Sequence, residues 1–246
     1  MPRPPRPADL FDLRVPVDLS LSPDGHLAVF TLKTVAPRHD GYRFALWVVP
    51  TDGSAPARQL TLGATCDNTP RWSPDGRTLA FLSDRSGLLQ AAGAADRVGL
   101  AKEWPREGCR QVWLLPSDGG EARQLTRFPY DVSDVVWSPD GRQVCAVSAS
   151  LTAAAPARHR RPEDMPEPDA RSIDRLGYML NDQGFIYDRP GKLWRVEVAS
   201  GEAVRLTAGD MPDTSPAWSP DGRTIAFVSQ RHRDRDLLSR SDVYLV

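Results

Sequence analysis

The chain has 246 residues, 40% of them hydrophobic and 26% charged, with a formal net charge of -1, which is the make-up of a globular protein able to bury a sizeable core. So even a charge balance excludes the global positive field that draws a protein onto nucleic acid or an anionic membrane. No stretch approaches the roughly 20 apolar residues of a membrane span.

In chain order, Met1–Leu10 reads MPRPPRPADL, with two arginines but no apolar run behind them of the kind a secretory signal needs, so a cytoplasmic location is expected. The tetrapeptide Ser-Pro-Asp-Gly then occurs at Ser22–Gly25, Ser73–Gly76, Ser138–Gly141 and Ser219–Gly222, and the last three follow Trp72, Trp137 and Trp218. Proline presets φ, aspartate bonds its own backbone two residues on, and glycine takes the left-handed conformation, so the tetrapeptide predicts a hairpin turn. Runs such as Arg77–Ser83 and Arg223–Ser229 follow it; short, apolar and partly alternating, they read as strands.

Each unit continues into an aromatic-bearing run: Leu46–Val49, Val112–Leu115, Leu193–Val196 and Val243–Val246. Three of these lead through a polar turn into Arg58–Thr61, Arg123–Thr126 or Val204–Thr207. Four strands per unit, repeated, is the signature of a propeller blade. The fold class is therefore all-β: a partial β-propeller of about four blades of four-stranded antiparallel sheet. The blades are expected at 15–61, 68–126, 133–207 and 214–246, the last incomplete. Two long segments, 84–109 and 150–189, interrupt the units between their second and third strands, and loops of that length are functional or disordered.

The SPDG-plus-tryptophan unit resembles the PD40/TolB-like repeat. Asp9–Leu13 followed by Pro16–Gly25, and the passage Arg175–Tyr178, Gly184–Tyr187, Leu193-Trp194, are similar to the prolyl oligopeptidase family of serine peptidases, acylaminoacyl-peptidase and dipeptidyl-peptidase-like members above all. That resemblance implies a lead-in over residues 1–14 with a short helix, and a propeller that filters peptides by size above an α/β-hydrolase domain bearing a Ser-Asp-His triad. No GxSxG occurs in the chain, so catalytic residues are expected to be absent from it and the chain to be inactive alone. Its partners would be peptides, met through a catalytic domain this chain lacks. The alternative is a stand-alone TolB/PD40 module that binds other proteins. Under either reading, open blade faces predict self-association, aggregation or poor stability.

Most residues of chemically capable type have plainer roles. Asp24, Asp75, Asp140 and Asp221 are read as turn residues rather than paired catalytic or metal-binding carboxylates, and Trp72, Trp137 and Trp218 as packing between blades. The serines of the turns lack a nucleophile's context. His26, His39, His159 and His232 show no ligand spacing, and Cys66, Cys109 and Cys145 are odd in number and widely spaced, hence plain thiols; neither metal nor cofactor is expected. The clusters Arg158–Arg161 and Arg231–Arg235 are read as solvated loop charge offset by Glu163, Asp164, Asp234 and Asp236. The resemblance implies that propeller arginines reach substrate, and Arg171 and Arg175 are the candidates for substrate binding.

Overall fold

The computed structural model describes residues 3–4, 6–39, 41–85, 109–150, 179–180, 184–185, 189–235, 237–238 and 240–246. A short 3-10 helix, Pro7–Asp12, opens the chain. The first sheet follows: β1 (Arg14–Leu21), β2 (Leu27–Val35), β3 (Tyr42–Pro50) and β4 (Arg58–Gln59). The second comprises β5 (Asn68–Trp72), β6 (Thr78–Ser83), β7 (Gln111–Pro116) and β8 (Arg123–Gln124). β9 (Val132–Trp137) and β10 (Gln143–Ala149) begin the third, the two-residue strands β11 (Met179–Leu180) and β12 (Gly184–Phe185) pair with each other, and β13 (Gly191–Glu197) and β14 (Ala203–Arg205) complete it. The fourth sheet has three strands: β15 (Asp213–Trp218), β16 (Ile225–Ser229) and β17 (Asp242–Leu245).

Within the sheets the strands run antiparallel in chain order, and the first strands of successive sheets touch, β1 on β5, β5 on β9 and β9 on β15. This is an arc of propeller blades, the last one three-stranded. Its inner wall is made of the first strands.

One turn chemistry builds all four hairpins. Ser22, Ser73, Ser138 and Ser219 each donate an O–H to the aspartate two residues on, at 2.6 to 2.7 Å. The same Oγ accepts the backbone N–H of the residue five positions on, at 2.9 to 3.0 Å. The aspartate also accepts the N–H of His26, Arg77, Arg142 or Arg223, and the glycine has φ between +69° and +75°. The hydroxyl, the carboxylate and the N–H groups that face them thus hold one another inside the turn.

The fourth strands are shorter than the sequence runs suggest. β4 pairs only through Arg58 and Gln59, after which the hydroxyl of Thr61 accepts the N–H of Leu46 at 3.0 Å. Thr126 and Thr207 do the same for Val112 and Leu193, at 2.9 and 3.1 Å. In each Leu-Thr pair a threonine hydroxyl replaces the ladder acceptor, so the segment seals the blade without extending it.

Three apolar clusters fill the seams between blades. Val29, Leu46 and Val48 of the first meet Trp72, Leu79, Phe81, Trp113 and Leu115 of the second. Ala80, Leu82, Val112 and Leu114 of the second meet Val132, Val135, Val144, Ala146 and Val196 of the third. Cys145, Val147 and Leu193 of the third meet Ile225 and Phe227 of the fourth. Middle sheets are covered on both faces, which is why β6 is buried from Leu79 to Ser83 without alternation. β1 is covered on one face only and alternates, with Asp18 and Ser20 half-buried and Leu19 and Leu21 exposed.

Candidate functional site

Because the SPDG turns join first to second strands, the connections from second to third strands lie at the opposite end of the arc. That end carries the buried charge. Arg85 directs Nη2 to Asp67 Oδ2 at 2.8 Å and Nε to Ser83 Oγ at 2.9 Å, while its guanidinium lies over the rings of Phe81 and Trp113 at 5.0 and 5.3 Å. Two blades on, Arg231 directs Nη2 to Asp213 Oδ1 at 2.8 Å and Nε to Ser229 Oγ at 3.3 Å, over Phe227 and Tyr244 at 5.0 and 5.4 Å. Aromatic faces and a fixed carboxylate hold each planar fork in one orientation.

In the fourth blade a second cation joins. Lys192, on β13 of the third blade, donates Nζ to Asp213 Oδ2 at 3.0 Å, to Ala208 O at 3.4 Å and to Met211 O. Both partners are buried, at 2% and 0% side-chain exposure, so the pair crosses the seam out of reach of water. Burial works against the Asp213 carboxylate, but hydrogen bonds from Arg231, Thr207, Ser229 and Lys192 outweigh it and hold its pKa below the ordinary value. Burial lowers Lys192, and Asp213 opposes that; with Lys192 and Arg231 each donating to one oxygen of the carboxylate, the ionised pair is the state the geometry favours.

The sequence carries a signal for these clusters beyond the SPDG repeat. Residues 67–85 and 213–231 share Asp-x-x-Pro-x-Trp-Ser-Pro-Asp-Gly-Arg-Thr-x-Ala-Phe-x-Ser-x-Arg, whereas the third blade has Val132 and Ser150 where the aspartate and arginine would stand. The reading of Arg231–Arg235 as solvated loop charge is corrected accordingly. Arg231 binds the buried Asp213, and Arg235 binds Asp210 at 2.9 Å; neither is offset by Asp234, because the partners come from the segment leading into and opening β15. Arg171 and Arg175, the substrate-binding candidates, lie outside the described residues, as does Arg158–Arg161.

On the inner wall, Arg71 of β5 stands between Asp18 of β1 at 3.4 Å and Asp134 of β9 at 3.7 Å, one residue linking three blades. Asp134 is pushed above the ordinary carboxylate value by burial, which the Val135 N–H and Arg71 only partly oppose.

The described residues offer poor material for nucleophilic catalysis. The turn serines point their O–H groups at carboxylates rather than at an imidazole, and His26 serves Asp24 with its main-chain N–H. Cys109 and Cys145 are buried and their thiols pushed up to about 12 by burial first and by neighbouring aspartates second, the opposite of an activated thiolate. Among the described residues no three His, Cys, Asp or Glu side chains converge as metal ligands. The guanidinium groups described are held in fixed positions by the chain's own carboxylates.

No family model matches the chain. It is 33% identical over 232 residues to YuxL, an uncharacterized peptidase of Bacillus subtilis, an alignment covering 93% of this chain and 32% of that protein. It is 27% identical over 241 residues to dipeptidyl-peptidase 5 of Porphyromonas endodontalis, covering 92% and 31%. The chain is related over its propeller to peptidases. It spans about a third of the length of these relatives. Acylaminoacyl peptidase of Pyrococcus horikoshii shares the fold, with a TM-score of 0.61 at 16% identity over 96% of this chain and 31% of that structure. The likeness to prolyl-oligopeptidase-family propellers read from Asp9–Leu13, Pro16–Gly25 and the passage from Arg175 to Trp194 therefore holds, as does the propeller class read from the SPDG repeats.

Proposed function

We propose that this chain is the substrate-gating propeller portion of a prolyl-oligopeptidase-family serine peptidase acting on short or N-blocked peptides, and that it has no catalytic activity alone. The observation that carries the reading is the alignment of nearly the whole chain with one third of a peptidase. Two further features support it. No GxSxG stands in the sequence, and every SPDG hydroxyl is committed to its own turn. A rigid arc with charged groups fixed on its inner wall and at one end is suited to admitting and orienting small chains rather than to breaking bonds.

The purified chain, assayed against acetylated-amino-acid and dipeptide chromogenic esters, gives background turnover only, with or without a serine-directed phosphonate. Titration followed by tryptophan fluorescence gives a saturable response with N-acetyl dipeptides and none with a folded protein. Phosphonate-sensitive turnover would overturn the inactive reading. Stable capture of a folded protein, with no response to peptides, would replace gating by the TolB-like protein-binding role.

A further inference from the structure

The arc is not equally stiff at its three seams. At the first, Arg71 of β5 reaches back to Asp18 of β1, and Trp72 donates its indole N–H to the Ser20 carbonyl. At the second, the same guanidinium reaches forward to Asp134 of β9, and the Arg71 carbonyl accepts the Trp137 N–H. Arg71 thus fastens both seams along the inner wall.

The third seam has the framework of the first without its clasp. Asp18 and Asp134 each stand four residues before a turn serine, and Arg71 and Ala217 each stand two before one. β5 and β15 carry the same bulge: the pairing register shifts between Asn68 and Arg71 and between Thr214 and Ala217, around Thr69 and Ser215 at φ 54° and 52°. Left-handed backbone is strained for such residues, and a bulge re-aims the side chains that follow it. In β5 it sets an arginine between two carboxylates. In β15 it sets an alanine at the equivalent place, and the buried Trp218 N–H has no acceptor among the described residues.

The interior of the seams repeats the difference. Val48 and Leu114, each following a third-strand tryptophan, are 4% and 2% exposed and pack against the next blade. In the third blade that place is taken by Arg195, which is exposed and has no ion pair among the described residues. A charge without a partner is not sealed into an apolar seam. What fastens this seam stands at the end opposite the SPDG turns, where Lys192 meets Asp213 out of reach of water. Val147 and Leu193 adjoin Lys192 in the strand register, so the apolar contacts beside that pair stay closed when the rest of the seam parts.

We infer that the first three blades form one stiff body and that the fourth swings against it, pivoting on the Lys192–Asp213 pair and parting from the third blade along the inner wall. The motion is a hinge at a single seam. It puts the gate of the proposed propeller at the side of the arc and rests on that reading for its use, but the motion itself is measured without peptide and stands or falls separately.

Distances between paired spin labels test it, on the 246-residue chain with its three native cysteines changed to alanine. His26→Cys with Arg142→Cys spans the first and second seams, and Arg77→Cys with Arg223→Cys spans the second and third. All four residues are exposed and directly follow the turn glycine, so the two pairs differ in the seams they span. The second pair gives a distance distribution about twice as broad as the first. Ala217→Arg supplies the missing partner for Asp134 and narrows it to the width of the first pair, whereas the uncharged Ala217→Gln leaves it broad. In the unlabelled chain with its native cysteines, Ala217→Arg slows amide exchange in β9 and β15 about threefold, as a partly exposed ion pair does, and adding Asp134→Asn abolishes the slowing. Equal widths for the two pairs, an Ala217→Arg chain as broad as its parent, or a narrowing by Ala217→Gln as great as by Ala217→Arg would each overturn the hinge.

Discussion

Trp137 donates its indole N–H to the carbonyl oxygen of Arg71, 3.0 Å away in the preceding blade. Trp72 repeats the bond one seam earlier, to Ser20 at 3.3 Å, but the buried Trp218 N–H has no acceptor among the described residues. Two tryptophans therefore fasten their seams by both area and a hydrogen bond, and the third by area alone. Replacing tryptophan by phenylalanine removes the N–H and part of the ring. Trp137→Phe is expected to lose about 1 kcal/mol more stability than Trp218→Phe, the net worth of one hydrogen bond with its acceptor left buried. Urea denaturation of both variants checks this, and equal losses would mean that the bond contributes nothing.

The cluster of Lys192, Asp213 and Arg231 makes a larger claim. Removing one member of a buried ion pair leaves the other desolvated without compensation, which costs about 3–5 kcal/mol. Asp213→Ala is expected to fall in that range and to loosen β15–β17 from the third blade, which hydrogen exchange in the fourth blade would report. Asp67→Ala strands only an arginine that is 24% exposed and open to water, whereas Asp213→Ala also strands Lys192 at 2% exposure, so the Asp67 loss is smaller. An Asp67 variant as damaging as the Asp213 variant would mean that Lys192 adds nothing to the seam.

The propeller was legible because the turn chemistry is local. Ser, Pro, Asp and Gly need only one another to close a hairpin, and the structure shows each of them in the part its chemistry assigns. The charged seams were less legible because Asp67 and Arg85 lie 18 residues apart, with a whole hairpin between them, and single-residue reasoning treats a loop arginine as solvated. Arg71, Asp18 and Asp134 were invisible for a stronger reason: they come from three different blades, and only the curvature of the arc brings them together. The Leu-Thr segments read as strands from their residues, yet their threonine hydroxyls replace the ladder acceptor, a distinction no propensity carries.

Acid should act on two classes of carboxylate with opposite sign. The four turn aspartates are held below the ordinary value by their serine O–H first and a backbone N–H second, and Asp213 is lowered as well. For each of these the unfolded chain binds the proton first on acidification, so the stability they give is complete above the ordinary carboxylate pKa of about 4 and is lost as pH falls through their folded values. Asp134 is raised, so the folded chain takes up that proton first and acidification relieves part of the loss. In Asp134→Asn that relief is absent, and stability measured by denaturant at steps from pH 6 to pH 3 should fall more steeply than in the wild type. A shallower fall would show that Arg71, rather than burial, governs Asp134.

The thiols give a test of how tightly the seams are closed. Cys109 and Cys145 are buried with pKa values pushed up to about 12, so at pH 8 roughly one thiol in ten thousand is ionised even where reagent can enter. Cys66 is half-buried and also raised, by burial first and by Asp84 second. With a disulfide reagent at pH 8 the folded chain should therefore react slowly and unequally, Cys66 leading, while in denaturant all three react together at the rate of an ordinary thiol. Cys145 lies in the seam between the third and fourth blades, so its labelling reports opening there. Asp213→Ala should speed Cys145 while leaving Cys109 unchanged, since Cys109 stands two residues before β7 of the second blade, away from the weakened seam. Equal acceleration of both would mean that the arc opens as one unit rather than at a single seam.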